Sequence, residues 1–570
     1  MSCRKGDSKQ HIVKFPQIIS GITILLVFSL LLNLPYIHLR EFQGEEGRRV
    51  IIAKNMLESG EWIVPYVEET VYLRKPPFYN WLLAGIFRLS GVISETSARS
   101  SSVITASLCA IIISLFWRKL SGARDIWFIL PGLVFLTFPE VLGKAVKAEI
   151  DITFTLFVTL SIISFFYFHE FRKKELAAWT ISLFFVGIGV LTKGVQAPAF
   201  FYTGVIPYII YKREWKKMLS VSHIAGICVL FIVMLSWLIP LISIAGYDNL
   251  VNTSLHEITI RQEPMNGGGF LKHLIEFPIQ YIISYSPWIL FLVLWFYKPL
   301  KTQPPLIKSL SAYCLFFLIF SIPFYWIMPG TWLRYLLPLA GPLTILISLP
   351  LYSLIASDKP HPHSFEFSQD RPDPLPEGEG SSSTYPSSFA EMTFFHRYLK
   401  LIGLFVILLT ISAPFWGKRL DLAGNWFSII LLCITFIASL FLMLLKRNVR
   451  TKLTLLFITI LLAKLSWVSI YFPYHSEHLS HYRNAAKILN ETVPSGIMLY
   501  DLGVDNPHLA YYLNRPIRLI ESIDDAEKEI GAVIFMKKNT AEGLEKSNLT
   551  FIAEVKARKD ILVLYRVGDK

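Results

Sequence analysis

Long apolar runs dominate this 570-residue chain and limit what it can fold into. A hydrocarbon core about 30 Å thick takes roughly 20 apolar residues as helix, and about thirteen runs qualify. They centre near Ile24, Ala110, Val134, Val158, Phe184, Thr203, Phe231, Trp288, Phe317, Leu343, Val406, Leu432 and Ile460. Charged residues are only 17% of the chain, against about 25% in an ordinary soluble protein. Prolines inside several runs (Pro131, Pro198, Pro240, Pro287, Pro323, Pro338) are tolerated where neighbouring helices satisfy the freed carbonyls. The shorter run Tyr79–Gly91 carries Arg88 and reads as an interfacial helix. The expected fold is a polytopic α-helical membrane protein.

Charge placement orients it. The N-terminus is basic, and so are the connections WRKLSGARD, HEFRKKELA, YKREWKKM, KPLKTQPPLIK and KRNVRTK, on alternate loops. The positive-inside rule makes that side cytoplasmic. The net charge of +13 is then mostly a topology signal, too scattered for a nucleic-acid surface. The first run lacks a small-residue cleavage site and reads as an anchor. None of the five cysteines (Cys3, Cys109, Cys228, Cys314, Cys433) falls in an outer segment, so no disulfide framework is expected.

Four regions follow. Residues 1–356 read as a catalytic bundle that includes an outer first loop, 36–100. Residues 357–395, rich in Pro, Ser and Gly, read as a disordered cytoplasmic linker. Residues 396–473 supply three further spans. Residues 474–570 alternate β-like runs (IMLYDL, PIRLIE, AVIFMKK, DILVLYRV) with helical stretches (NPHLAYYL, DDAEKEIG) and read as a periplasmic α/β domain.

The candidate chemistry gathers on the outer side. Glu45 and Glu46 precede a helical pattern, where the helix dipole favours carboxylates and either could act as general base. Glu149 and Asp151 stand at the mouth of the fourth span, where an acid is costly and often functional. Helical spacing sends them to different faces, with Lys147 as the partner available for an interfacial charge. Arg48, Lys75, Lys193, Arg261, His256 and Arg334 are cations on the same side, suited to an anionic lipid phosphate. Lys193 and Arg334 are each explained as well by snorkelling; the convergence of these cations on one face is the signal. His475, His478 and His481 recur every three residues without a recognised metal-ligand spacing. Gly267-Gly268-Gly269 lacks the Lys-Ser/Thr of a phosphate loop. The Asn252, Asn490 and Asn548 sequons are patterns common by chance.

The order of motifs resembles a known family. GEEGRRVIIAKNMLESGEWIVPYVEETVYLRKPPFYNWL is similar to the first outer loop of bacterial aminoarabinose lipid A transferases and related protein mannosyltransferases, polytopic glycosyltransferases of the C superfamily. The matching features are Glu45-Glu46, Arg48, Met56–Trp62 and Lys75-Pro76-Pro77. AEID, LTKG at Leu191–Gly194, Pro287-Trp288 and Arg334-Tyr335…Pro338 follow in the family's order. The chain departs from the pattern at Glu45, where relatives carry Asp, and at Arg74, where they often carry an acid.

The resemblance implies an inner-membrane glycosyltransferase with its site facing the periplasm. It would pass a sugar from a polyprenyl-phosphate donor to a lipid A-like or other periplasmic acceptor. Glu45, Glu46 and Asp151 are the catalytic candidates; Arg48, Lys75, Lys193, Arg261 and Arg334 are the phosphate-binding ones. No cofactor is required by the sequence, and a divalent metal is compatible with it. A protein O-mannosyltransferase is the near alternative. A lipid-linked sugar flippase is the alternative from another class; it would place its charges near mid-membrane.

Overall fold

A computed structural model describes residues 7–568 except 68–69, 124, 254–266, 298–303, 329, 358–388, 418–424, 446–447, 505, 516, 527–528 and 543–547. Among the described residues, ten helices are long and apolar enough to cross a membrane, or eleven if the pair Gly269–Tyr285 and Trp288–Phe296, bent by 95°, is one span. Every one of the thirteen expected centres falls in a helix. Two of those helices, or three if the bent pair is not one span, are too short to cross, which corrects the count.

Around Val134 the run is divided by proline. Pro131 sits in the first turn of Leu130–Leu136, and Phe138 is held extended before Pro139, which opens Pro139–Lys144. A residue before proline is pushed out of the helical region. Around Thr203, Gln196–Tyr211 has 16 residues, about 24 Å at 1.5 Å per residue. It starts just after Gly194, whose φ is +82°.

The outer surface of the bundle needs lipid. Phe231, Ile232 and Ile239 of Val221–Ala245 are 48%, 67% and 58% exposed. The inner faces form one apolar core in which Trp117, Trp179, Trp288 and Tyr313 are fully buried.

After the first helix, Asp7–Asn33, the chain forms an outer layer. It contains the helix Glu46–Ser59, a short hairpin of Tyr66–Val67 and Thr70–Val71, and the helix Phe78–Ser90. Gly60 closes the first of these helices in the left-handed region, φ +74°, as a C-cap glycine does at little steric cost. Phe78–Ser90 buries Tyr79, Leu83 and Phe87 while Leu89 is 90% exposed. This is the asymmetry of a helix lying on a surface.

The C-terminal domain is a five-stranded mixed sheet. Its spatial order is Ile517–Ile520, Leu499–Leu502, Val533–Lys537, Asp560–Val567, Leu549–Ala557. Leu499–Leu502 runs parallel to both neighbours and is buried throughout, as a central parallel strand covered on both faces should be. The four expected strands are present; the sequence reading missed Leu549–Ala557. NPHLAYYL forms the helix Pro507–Leu513, but DDAEKEIG shows only the 3-10 turn Ile523–Asp525 among its described residues. Boundaries also move. The helix Val449–His478 runs beyond Tyr474, and Phe389–Gly417 begins inside the expected linker, whose residues 358–388 lie outside those described.

Candidate active site

Arg99, from the first turns of the helix Glu95–Ser121, is fully buried and uses all of its donors. Nε and Nη2 donate to the two oxygens of Glu46 at 2.7 and 2.9 Å. Nη1 donates to the carbonyls of Ile37 and Arg40, and Nη2 also to that of Glu41. Glu46 further accepts from the backbone N–H of Gln43 and of Ala148 at 2.9 and 2.8 Å. Burial opposes its charge, but Arg99 and Arg40 outweigh that and hold the carboxyl down at about 2. This knot fixes the loop 37–46 against the turn that carries Glu149.

Glu45 is the N-cap of Glu46–Ser59 and faces the other way, into an open cavity of about 180 Å³. Its side chain is 40% exposed and pairs with Arg48 at 3.1 Å and Arg49 at 3.7 Å. Burial raises its pKa, while Arg48 and Arg49 more than offset this and hold it below the ordinary value. Gly44, at φ +65°, permits the sharp turn, and a side chain there would press against Glu149 Oε1 at 2.9 Å.

Opposite stands a carboxylate–lysine cluster. Asp151 receives Lys193 Nζ on Oδ1 at 2.6 Å and Lys144 Nζ near Oδ2 at 3.1 Å. Lys144 also reaches Glu149 at 2.5 Å. Burial pulls Lys144 down, but Asp151 and Glu149 more than compensate and keep it protonated. Lys193 lies over the rings of Phe154 and Tyr335 at 5.2 and 5.0 Å. Arg334 sits over Tyr335 at 5.7 Å and Trp332 at 5.8 Å.

The cavity is lined by six cations (Arg48, Arg49, Arg74, Lys75, Lys193, Arg334) and three acids (Glu45, Glu149, Asp151). Such an excess attracts anions and raises their local concentration. Several lining atoms are buried with no hydrogen-bond partner among the described residues: Arg49 Nε and Nη1, Arg334 Nε and Gln196 Oε1.

The structure brings most of the expected residues to this cavity: Glu45, Asp151, Arg48, Lys75, Lys193 and Arg334 line it. Glu46 does not. It is 0% exposed and tied to Arg99, so it holds the loop and has no access to a substrate. Arg261 and His256 lie outside the described residues.

Glu149 and Asp151 were expected on different faces, yet both meet Lys144. Glu149 is the extended N-cap (φ −125°, ψ 157°) rather than a helical residue, so helical spacing does not apply. Its partner is Lys144, not Lys147. Sequence reasoning missed Arg49, one position from the recognised Arg48, and Lys144, which lies in a short helix before the turn. The arginine doublet in EEGRR was the available signal for the first; periodicity offered none for the second. Among the described residues no three His, Cys, Asp or Glu are grouped to hold a metal ion. His475 instead contacts Gln43, and His478 stacks on Tyr474.

Residues 74–239 match the family model of dolichyl-phosphate-mannose-protein mannosyltransferase. The undecaprenyl phosphate-alpha-4-amino-4-deoxy-L-arabinose arabinosyl transferase of Pseudomonas savastanoi pv. phaseolicola is 27% identical over 353 residues, 58% of this chain and 60% of its own. Its counterpart in an Enterobacter species is 27% identical over 349 residues, 60% of each chain. The chain is thus similar to aminoarabinose lipid A transferases and to protein mannosyltransferase-like proteins. The alignments span about 60% of the length of these curated relatives. The crystal structure of ArnT from Cupriavidus metallidurans bound to undecaprenyl phosphate superposes with a TM-score of 0.69 at 17% identity, covering 96% of this chain and 97% of that one. The two chains therefore share one fold, C-terminal domain included. The family-model match contains Lys75, Asp151 and Lys193 and leaves Glu45, Arg48 and Arg334 outside.

Proposed function

We propose that this protein transfers a sugar from a polyprenyl-phosphate donor to a lipid acceptor of the lipid A type, at the periplasmic face of a bacterial inner membrane. The observation that carries this reading is the cavity itself. One carboxylate, Glu45, stands partly exposed and anionic across from a bank of lysines and arginines at the end of a membrane bundle. The activity of the arabinosyl transferase relatives supports the donor class.

The chemistry follows from the charges. An acceptor hydroxyl attacks C1 of the sugar, the C1–O bond to phosphate breaks, and the electron pair leaves with the polyprenyl phosphate. Glu45 takes the hydroxyl proton as general base. Asp151 is less suited, because ammonium groups already occupy both of its oxygens; its role is to hold Lys193 and Lys144 in place. The departing phosphate goes from one negative charge to two, and Lys75, Lys193, Arg49 and Arg334 stabilise that second charge. Attack opposite the leaving phosphate inverts C1.

The test uses the purified protein in lipid with undecaprenyl-phospho-sugars and two acceptors, lipid A and a periplasmic protein fraction. Labelled sugar on lipid A supports the reading. Label on protein alone would replace the acceptor, and donor translocation without transfer would make the protein a flippase.

A further inference from the structure

The helix Val449–His478 carries one charge in its apolar middle: between Leu453 and Phe472, Lys464 alone is ionisable apart from Tyr471. Lys464 is half-buried, with no hydrogen-bond or ion-pair partner among the described residues. A lone ammonium in a span is expensive and marks a functional site unless something neutralises it.

A second cation stands further along, against the same helix. Two turns on, about 12 Å by helix rise, the ring of Phe472 lies under the Arg40 guanidinium at 5.5 Å. Seven and eleven residues beyond Lys464, on its own face, stand Tyr471 and His475.

Arg40 has few direct partners. It is 8% exposed, and Nη2 donates to the Val146 carbonyl at 3.1 Å. Glu46 is 4.0 Å away, but that carboxylate is already committed to Arg99, Gln43 and Ala148. Arg40 Nε, Asn33 Oδ1 and His475 Nδ1 are buried without partners among the described residues. Lys147, beside the Val146 carbonyl, adds a third, half-buried cation. None of these residues lines the catalytic cavity.

We propose that Arg40, Lys147 and Lys464 form a second anion site, between the first helix and Val449–His478, for the phosphate headgroup of an anionic membrane lipid. A lipid is favoured over a free anion by the surroundings. Leu30, Leu31 and Leu34 of the first helix and its extension, and Ile458 of the other, are exposed apolar side chains that acyl chains would cover. Trp467, 51% exposed, stacks on Tyr471 at 5.0 Å between the two cations, an aromatic pair of the kind found at headgroup level. The ammonium of Lys464, on its flexible stem, would reach outward to the phosphate while its carbons stay in the apolar layer.

The test is lipid retention by the full chain. Wild type and Lys464→Met are reconstituted in phosphatidylcholine with and without phosphatidylglycerol, extracted in detergent, and read by native mass spectrometry and thermal unfolding. Met keeps the stem and removes the charge from an apolar span, so the variant folds. Wild type should retain phosphatidylglycerol and unfold at higher temperature with it. Lys464→Met should retain about tenfold less, the worth of one charged hydrogen bond, and lose the thermal gain; Lys147→Met should fall between. Equal retention and equal protection in wild type and Lys464→Met would overturn the site. Equal protection of wild type by inorganic phosphate in detergent would overturn the lipid assignment.

Discussion

Arg99 grips both oxygens of Glu46, from helices 53 positions apart in sequence, with neither side chain exposed beyond 1%. The acidic doublet is thereby divided: Glu46 holds the loop and Glu45 faces the cavity. Breaking a buried pair from one side costs about 3–5 kcal/mol. Glu46→Gln and Arg99→Met should therefore lower the unfolding temperature and the yield in detergent, while Glu45→Gln does neither. Equal stability of Glu46→Gln and Glu45→Gln would refute the division.

Glu45→Gln should instead lose turnover. Removing a general base costs about a hundred- to ten-thousandfold, and the amide preserves shape, so binding of a polyprenyl phosphate should change little. Asp151→Asn should behave differently, because it leaves Lys193 and Lys144 without their shared anion. We expect it to lower both stability and turnover. Single-turnover rates and donor titrations on the two variants separate the roles; near-normal turnover in Glu45→Gln would move the base to another group.

Arg49 and Lys75 should matter for the ground state as well as for the reaction. A hydrogen bond to a charged group contributes about 1.5–3 kcal/mol, or roughly ten- to a hundredfold in affinity. Arg49→Met and Lys75→Ala are each expected to raise the Kd for undecaprenyl phosphate by about that factor. Titration by intrinsic fluorescence provides the measurement, and unchanged affinity in both would remove these cations from the phosphate site.

The acids predict pH behaviour of definite sign. Glu46 is held near 2 in the fold against an ordinary 4.5. Its contribution to stability is complete above 4.5 and is lost as the pH falls through about 2. Glu45 is also lowered, burial being outweighed by Arg48 and Arg49. The acid limb of kcat/KM due to Glu45 therefore lies below 4.5. A limb near neutrality that survives in Glu45→Gln would point to a different base.

Much of this could be read from the chain because membrane burial writes long, simple patterns. The spans around Phe231 and Leu432 were evident, and so were the Glu45 and Lys75 motifs, which the family resemblance singles out. What failed did so for local reasons. Prolines at 131 and 139 cut one run in a way that hydropathy does not register. Asp151 and Glu149 converge because one of them is a cap outside helical geometry. The different fates of Glu45 and Glu46 depend on Arg99, a residue whose partner is chosen only by the three-dimensional fold. Leu549–Ala557 escaped notice because its inward residues alternate irregularly across a bulge between Phe551 and Ala553.

The loop that carries Glu45 is gripped from its outer side by the last part of the chain. Glu41 accepts from the backbone of Tyr482 and Arg483, the Tyr512 hydroxyl receives the N–H of Phe42 and donates to Glu95, and His508 Nε2 meets the Gly44 carbonyl at 3.0 Å. Tyr512→Phe strands a buried N–H, at a cost of about 1–3 kcal/mol. We expect slower turnover with donor affinity intact, as stopped-flow assays beside donor titrations would show; unchanged turnover would mean the loop stands without this support.

These contacts join residues more than 400 positions apart, so the order of synthesis matters. A ribosome finishes the cation bank of the first helices long before it makes Tyr482, His508 and Tyr512. Until those residues have docked, the loop that carries Glu45 lacks its outer support. A half-made chain can hold its spans in the bilayer before this loop is set, and the loop is held from both sides only once the C-terminal domain has docked.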